Sequence, residues 1–210
     1  MIKAELAPWL RALDSAAICD ACKRLGVRQR FMDREMRPVW PGAKTAGPAF
    51  TVRLIPGQGG CGAAIEAAQP GDVLVIDARA RIDAIVWGEM FSGNAVTRKL
   101  AGAVIDGAVR DIDGIQRLGF PVFARSIVPG TARWPGDGSH QLPVTVGRVR
   151  VRPGDIIFAD EIGIAVVAAE HWEAVAQEAV RIQAREGAKL ELYLQGYTSE
   201  QIREMQQRGE

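Results

Sequence analysis

The stretch Gly102-Ala-Val-Ile-Asp-Gly-Ala-Val-Arg-Asp111 decides the reading of this chain. Its apolar, partly β-branched run predicts a buried strand that breaks at Gly107 in a tight turn. The chain then delivers two opposite charges, Arg110 and Asp111, where the strand ends. Folds of the α/β class place their chemistry at the carboxyl ends of strands. A second segment, Gly88-Glu-Met-Phe91, lies upstream and opens a predicted helix over 88–100.

Working outward, helices and strands alternate. Apolar residues at helical spacing over 9–25 stop at Gly26, a fitting C-terminal glycine. Ala49–Ile55, Asp72–Asp77, Ala84–Trp87 and Pro121–Ala124 read as strands, with a helix over 112–118 closed by Gly119. Pro143–Val151 alternates with period two and turns at Gly147, and Asp155–Ala159 with Gly163–Ala168 forms a strand pair. From Glu170 the chain turns helical: Glu173–Leu194 is long and amphipathic, and Thr198-Ser-Glu-Gln201 has the form of a capping box. The expectation is an α/β domain over 1–170 and a helical tail over 171–210 that packs across a neighbouring subunit.

Composition narrows the function classes. The 210 residues are 48% hydrophobic and 24% charged, with a net charge of +1. That balance gives no electrostatic reason to expect nucleic acid or an anionic membrane surface. No apolar run reaches the roughly 18–20 residues that a membrane span needs. The start, Met1-Ile-Lys-Ala-Glu-Leu-Ala-Pro8, lacks the apolar core of a signal peptide, and three cysteines do not make a disulfide scaffold. A cytoplasmic globular protein is expected.

Each candidate site has an ordinary alternative. Arg110-Asp111 could be a surface ion pair in a helix's first turn, where Asp is favoured by the dipole. The largely uncharged run before it and the turn at Gly107 favour instead a clamp, with Asp111 as a hard oxygen donor to Mg²⁺ or Mn²⁺ and Arg110 holding a carboxylate or enolate oxygen. At Gly88–Phe91 the unpaired N–H groups of a helix start form an anion site, and Glu89 could orient water or act as a base. Cys19-Asp-Ala-Cys22 stands alone and reads as structural thiols. His140 lies in a loop and His171 at the start of the tail; both read as surface residues. Gln58-Gly-Gly-Cys-Gly62 could cradle an anion but lacks the Lys and Ser/Thr of a P-loop.

Taken in order, Gly47-Pro-Ala-Phe-Thr-Val52, Ala68-Gln-Pro-Gly-Asp-Val73, Gly88-Glu-Met-Phe91, Val104–Asp111, Pro153-Gly-Asp-Ile156 and Asp160-Glu-Ile-Gly163 resemble the RraA-like family. That family includes class II 4-hydroxy-4-methyl-2-oxoglutarate and 4-carboxy-4-hydroxy-2-oxoadipate aldolases, and a regulator of ribonuclease activity. The resemblance implies a swivelling ββα-type sandwich assembled as a homotrimer or homohexamer, with sites between subunits. It implies a lyase that releases pyruvate from a small 2-oxo acid, with oxaloacetate decarboxylation as a side activity. Asp111 would be the direct protein ligand of Mg²⁺ or Mn²⁺. Arg110 would bind substrate and steady the enolate, and the backbone of Gly88, Glu89, Met90 and Phe91 would hold the pyruvate carboxylate. The alternative that the resemblance carries is a non-catalytic, ring-shaped protein-binding regulator of ribonuclease activity. Two departures bear on the substrate: Glu89 stands where the aldolases carry Asp, and Gln58-Gly59-Gly60 replaces an acidic-Asn turn.

Overall fold

The structure, a computed structural model, describes residues 12–54, 61–131 and 138–208. Helix α1 (Ser15–Arg24) starts where the Asp14 carboxylate accepts the Ala17 N–H at 2.7 Å, satisfying one of the helix's unpaired donors. After the short strand β1 (Arg37–Pro38) comes the centre of the molecule, a strand–helix succession. It runs β2 (Thr45–Arg53), α2 (Gly62–Ala67), β3 (Val73–Trp87), α3 (Glu89–Thr97), β4 (Gly102–Val109), α4 (Ile112–Arg117) and β5 (Val122–Ile127). Strands β2 to β5 lie side by side in sequence order and are all parallel. Right-handed crossovers between such strands put every connecting helix on one face of the sheet.

Both faces of this sheet are covered. Leu74 and Ile76 of β3 pack with Ala64 and Ile65 of α2, Ala95 of α3 and Ile115 of α4. Val73 and Val75 point the other way, onto the hairpin that follows. Burial on both sides explains why these strands read as continuous apolar runs rather than alternating ones. Strand β6 (Ser139–His140) pairs with the end of β2, and β7 (Val144–Val146) and β8 (Val149–Val151) form the covering hairpin. Its turn has positive φ at both central residues, Gly147 (53°) and Arg148 (64°), the combination that matches the twist of a two-residue hairpin.

Strands β9 (Ile156–Ala159) and β10 (Ile164–Val167) extend the sheet antiparallel from the free edge of β2. A 3₁₀ turn (Ala169–His171) leads into the long helix α5 (Trp172–Leu194) and then α6 (Ser199–Arg208). Trp172, Val175, Ala176, Ala179 and Ile182 of α5 pack on Ile18, Ala21 and Cys22 of α1 and on Phe158 and Val167. Beyond Ile182 the helix is mostly exposed, with Leu190 and Leu194 open to solvent. Gly187 does not interrupt it. The capping box forms in both directions: Thr198 N–H donates to Gln201 Oε1 at 2.8 Å, and Gln201 N–H donates to Thr198 Oγ1 at 3.3 Å. Among the described residues no helix is long and apolar enough to cross a membrane.

The α/β class with a helical tail is what the chain adopts. Two local expectations are corrected. The segments 72–77 and 84–87 are one strand, β3, whose exposed, bulged middle carries Arg79 and Ala80 at positive φ. Gly107 does not turn the chain but lies within β4, opposite Arg81. A Cβ there would come within 2.8 Å of the Ala78 Cβ, so the glycine permits the close approach of β3. The helix expected from residue 9 is described from Ser15 onward, and residues 1–11 lie outside the described part.

Candidate active site at the ends of the third and fourth strands

Trp87 and Val109 are register partners in the parallel β3–β4 pair, so the residues after them emerge side by side at the carboxyl edge. Arg110 N–H donates to Trp87 O at 3.2 Å and extends this pairing by one residue. Gly88 and Asp111 are the N-cap residues of α3 and α4. Asp111 holds left-handed backbone angles, φ 60° and ψ 41°, a region that Asp tolerates better than most side chains. A Cβ on residue 88 would sit 2.6 Å from Asp111 Oδ2, so Gly88 makes the space that this carboxylate fills.

Asp111 Oδ2 accepts a long bond from Glu89 N–H at 3.4 Å and lies 3.4 Å from Arg110 Nε. The second contact is an ion pair without hydrogen-bond alignment, because Arg110 Nε is buried and makes no hydrogen bond. Arg110 Nη1 donates to Gly130 O at 3.2 Å, which ties the guanidinium to the loop after β5. The Met90 and Phe91 N–H groups belong to the first turn of α3, where no intrahelical acceptor exists. Met90 is 85% exposed, whereas Phe91 packs against the Trp87 ring with centroids 5.5 Å apart. Trp87 Nε1 donates to Ser92 Oγ at 2.8 Å and Ser92 Oγ donates to Gly88 O at 3.1 Å, which anchors the first turn to the core.

The Glu89 carboxylate is paired with Arg117 Nη2 at 3.2 Å and lies over Gly114, where any Cβ would overlap it. Neither Arg117 nor Gly114 was marked by the sequence. Gly114 and Arg117 are three residues apart on one face of α4, and their meeting with Glu89 appears only once α4 is placed beside α3. The structure thus brings Gly88, Glu89, Met90, Phe91, Arg110 and Asp111 to one edge. Glu89 touches Asp111 through its backbone, while its side chain is directed to Arg117.

The donor chemistry can be tested against a metal. Among the described residues no three His, Cys, Asp or Glu side chains form a cluster. A zinc site with its several nitrogen or sulfur ligands does not fit. A hard cation that keeps most of its waters and takes one carboxylate, as Mg²⁺ does, fits the half-exposed Asp111.

The remaining candidates fall elsewhere. Cys22 is buried and Cys19 half-buried on α1, both are free thiols, and burial pushes the Cys19 thiol up to about 11. His140, on β6, lies against Phe50 with tilted rings 5.3 Å apart, and His171 ends the 3₁₀ turn on the surface. Of Gln58–Gly62, residues 58–60 lie outside the described part, as do residues 135–137 of the loop before His140.

Comparison with known proteins identifies the family to which this fold belongs. The RraA-like (Aldolase/RraA) family model matches residues 15–166. A protein of Halalkalibacterium halodurans named "Putative 4-hydroxy-4-methyl-2-oxoglutarate aldolase" is 36% identical over 180 residues, 85% of this chain and 84% of that one. Protein DlpA of Legionella pneumophila is 31% identical over 198 residues, 91% of this chain but 32% of that longer protein. Among solved structures, an uncharacterised protein from Pseudomonas syringae superimposes with a TM-score of 0.83 at 27% identity, covering 97% of this chain and 100% of that one. RraAS2 of Streptomyces coelicolor, described as an unusual member of the RNase ES inhibitor RraA protein family, gives 0.77 at 28% identity, covering 90% and 100%.

Proposed function

The chain belongs to the RraA-like family, and from that premise we propose that it is a divalent-metal-dependent lyase that cleaves a 4-hydroxy-2-oxo acid to pyruvate. The observation that carries the reading is the Asp111 carboxylate, held in left-handed backbone, packed against Gly88 and flanked by Arg110. Strained backbone at a polar strand end is a feature of functional sites. The names of relatives such as the Halalkalibacterium protein support the aldolase reading.

Asp111 would hold Mg²⁺ or Mn²⁺, and such an ion, when bound, supplies Lewis-acid polarisation of a 2-oxo group. The N–H groups of Met90 and Phe91 bind the substrate carboxylate at the positive end of α3. Glu89, steadied by Arg117, takes up the 4-hydroxyl proton through a bridging water and returns it by the same route when C3 is protonated. The C3–C4 bond then breaks, the 4-carbon leaves as a carbonyl compound, and the electron pair remains on the pyruvate fragment as its enolate. Arg110 faces that negative charge, which exists in the transition state and intermediate but not in the substrate, so its interaction lowers the barrier. Protonation at C3 gives pyruvate. Oxaloacetate decarboxylation passes through the same enolate and belongs to the same proposal.

The site is completed between subunits of a cytoplasmic homotrimer or homohexamer. The domain over 1–170 supplies the chemistry, and the tail over 171–210 supplies an interface through the exposed outer half of α5. The deciding experiment is pyruvate release from 4-hydroxy-4-methyl-2-oxoglutarate and from oxaloacetate, with and without EDTA. EDTA-sensitive release that disappears in Asp111→Ala is the expected result; no release from either substrate overturns the reading. The ribonuclease-regulator alternative has the likeness to RraAS2 in its favour. Inhibition of a ribonuclease by the purified chain, without lyase turnover, would establish it instead.

A further inference from the structure

A cavity of about 600 Å³, sharing no residue with the site above, opens between the segment after α1 and the β7–β8 hairpin. Its wall carries five arginines, Arg28, Arg30, Arg148, Arg150 and Arg152, with Phe31 beside them. Arg150 of β8 and Arg152 just after it both line the cavity, while Val151 between them is buried. Two carboxylates offset this charge: Asp155 pairs with Arg30 Nη1 at 2.9 Å and Asp33 with Arg148 Nε at 3.3 Å. Arg28, Arg150 and Arg152 form no ion pair among the described residues. Arg30 spends Nη1 on Asp155 and the Arg150 carbonyl, and its Nη2 is buried without a hydrogen-bond partner.

Such a cluster in a chain of net charge +1 is a local field, not a general basicity. Guanidinium groups gathered in a concavity repel one another and focus a positive potential that an anion relieves. Their planar forks match phosphate oxygens two at a time. Phe31 is 64% exposed in the cavity wall, which leaves its ring open to a ligand. The volume lies within the range of small-molecule sites.

We propose that this cavity binds a nucleoside diphosphate, its phosphates held by the arginines and its base stacked on Phe31. The arginines account for the anion, and the exposed aromatic ring beside them accounts for the flat apolar part. The lyase reading does not enter this argument.

The test is calorimetric titration of the full chain with ADP and, separately, with inorganic pyrophosphate at about 0.1 M salt. Both bind, ADP about tenfold more tightly, since a base on an aromatic ring gains at least that much. The Arg150→Gln/Arg152→Gln double variant weakens both ligands by roughly a hundredfold, about tenfold for each charged contact removed. Phe31→Ala weakens ADP alone and brings it to the level of pyrophosphate. Arg28→Gln, on a different segment, weakens both by about tenfold and covers the case in which the hairpin variant fails to fold. The proposal is overturned if neither ligand binds at millimolar concentration, or if binding is unchanged in the arginine variants. It is also overturned if ADP and pyrophosphate bind equally to the parent chain, or if a short single-stranded RNA binds and ADP does not displace it.

Discussion

Gly88 and Asp111 occupy one another's space: the carboxylate of Asp111 stands 2.6 Å from where a Cβ on residue 88 would be. Gly88→Ala should therefore push the carboxylate away from the start of α3. The methyl group meets the flexible end of a half-exposed side chain, so the cost to stability should stay under about 1.5 kcal/mol. Pyruvate formation should fall by at least about tenfold, the equivalent of roughly 1.4 kcal/mol in the barrier. Thermal unfolding beside oxaloacetate turnover separates the two quantities.

Asp111→Asn keeps the volume and tolerates left-handed backbone but removes the charge. Turnover should fall by about a hundredfold or more, while the melting temperature moves by only a few degrees. A variant as active as the parent would remove Asp111 from the proposed chemistry.

Arg117→Met removes the partner of the Glu89 carboxylate. The pair is exposed, so the loss of stability should be within about 1 kcal/mol. If Glu89 acts only when held in place, kcat should drop several-fold with KM nearly unchanged, and Arg117→Lys should restore part of it. Equal kcat in all three proteins would make the pair a surface contact without consequence for turnover.

Asp106 sits buried on β4, accepting from Arg125 Nε at 2.5 Å and from Gly147 N–H at 2.7 Å. It joins the sheet to the covering hairpin, while Arg125 also pairs with Glu35. Asp106→Ala leaves the Gly147 N–H and Arg125 Nε without their acceptor while Glu35 and Asp33 still offset the charge, so the cost should be about 1–3 kcal/mol. Urea unfolding should show the midpoint fall with little change in slope.

Cys19 supplies a pH dependence. Burial raises its folded-state thiol from the ordinary value of about 9 to about 11, so from about pH 9 the unfolded chain loses its proton first. The folded state then binds more protons, and stability falls as pH rises through the window from 9 to 11. Cys19→Ala should flatten the stability profile across that window, read by chemical denaturation at several pH values.

Much of this was legible in the sequence, and what was not has physical causes. The runs Val73–Ile76 and Ala103–Ile105 announce a sheet buried on both faces, and Thr198 with Gln201 announces a helix start. The union of the two halves of β3 was hidden because its bulged middle is exposed and polar, which in sequence is indistinguishable from a loop. Gly107 was misread because a glycine that admits a neighbouring strand and one that turns the chain look alike without the neighbour. The position of Asp111 at a strand end is legible in the sequence, but the contacts of Arg117 and Gly114 with Glu89 are not, since they depend on how two helices sit side by side. The arginine cavity was invisible because its residues come from stretches more than a hundred positions apart in a nearly neutral chain.

The pairing of Trp87 with Val109 works as a ruler. Backbone hydrogen bonds alone fix the offset between the residues that follow each strand, whatever side chains those residues carry. Substitutions at 88–91 or 110–111 can therefore exchange chemistry without disturbing spacing. Insertion or deletion of one residue at the end of β4 would instead turn every alternate side chain to the opposite face and break the alignment, whereas the bulged middle of β3 can absorb a change of length. Divergence at this edge is expected to proceed by replacement of residues, with the end of β4 held constant in length.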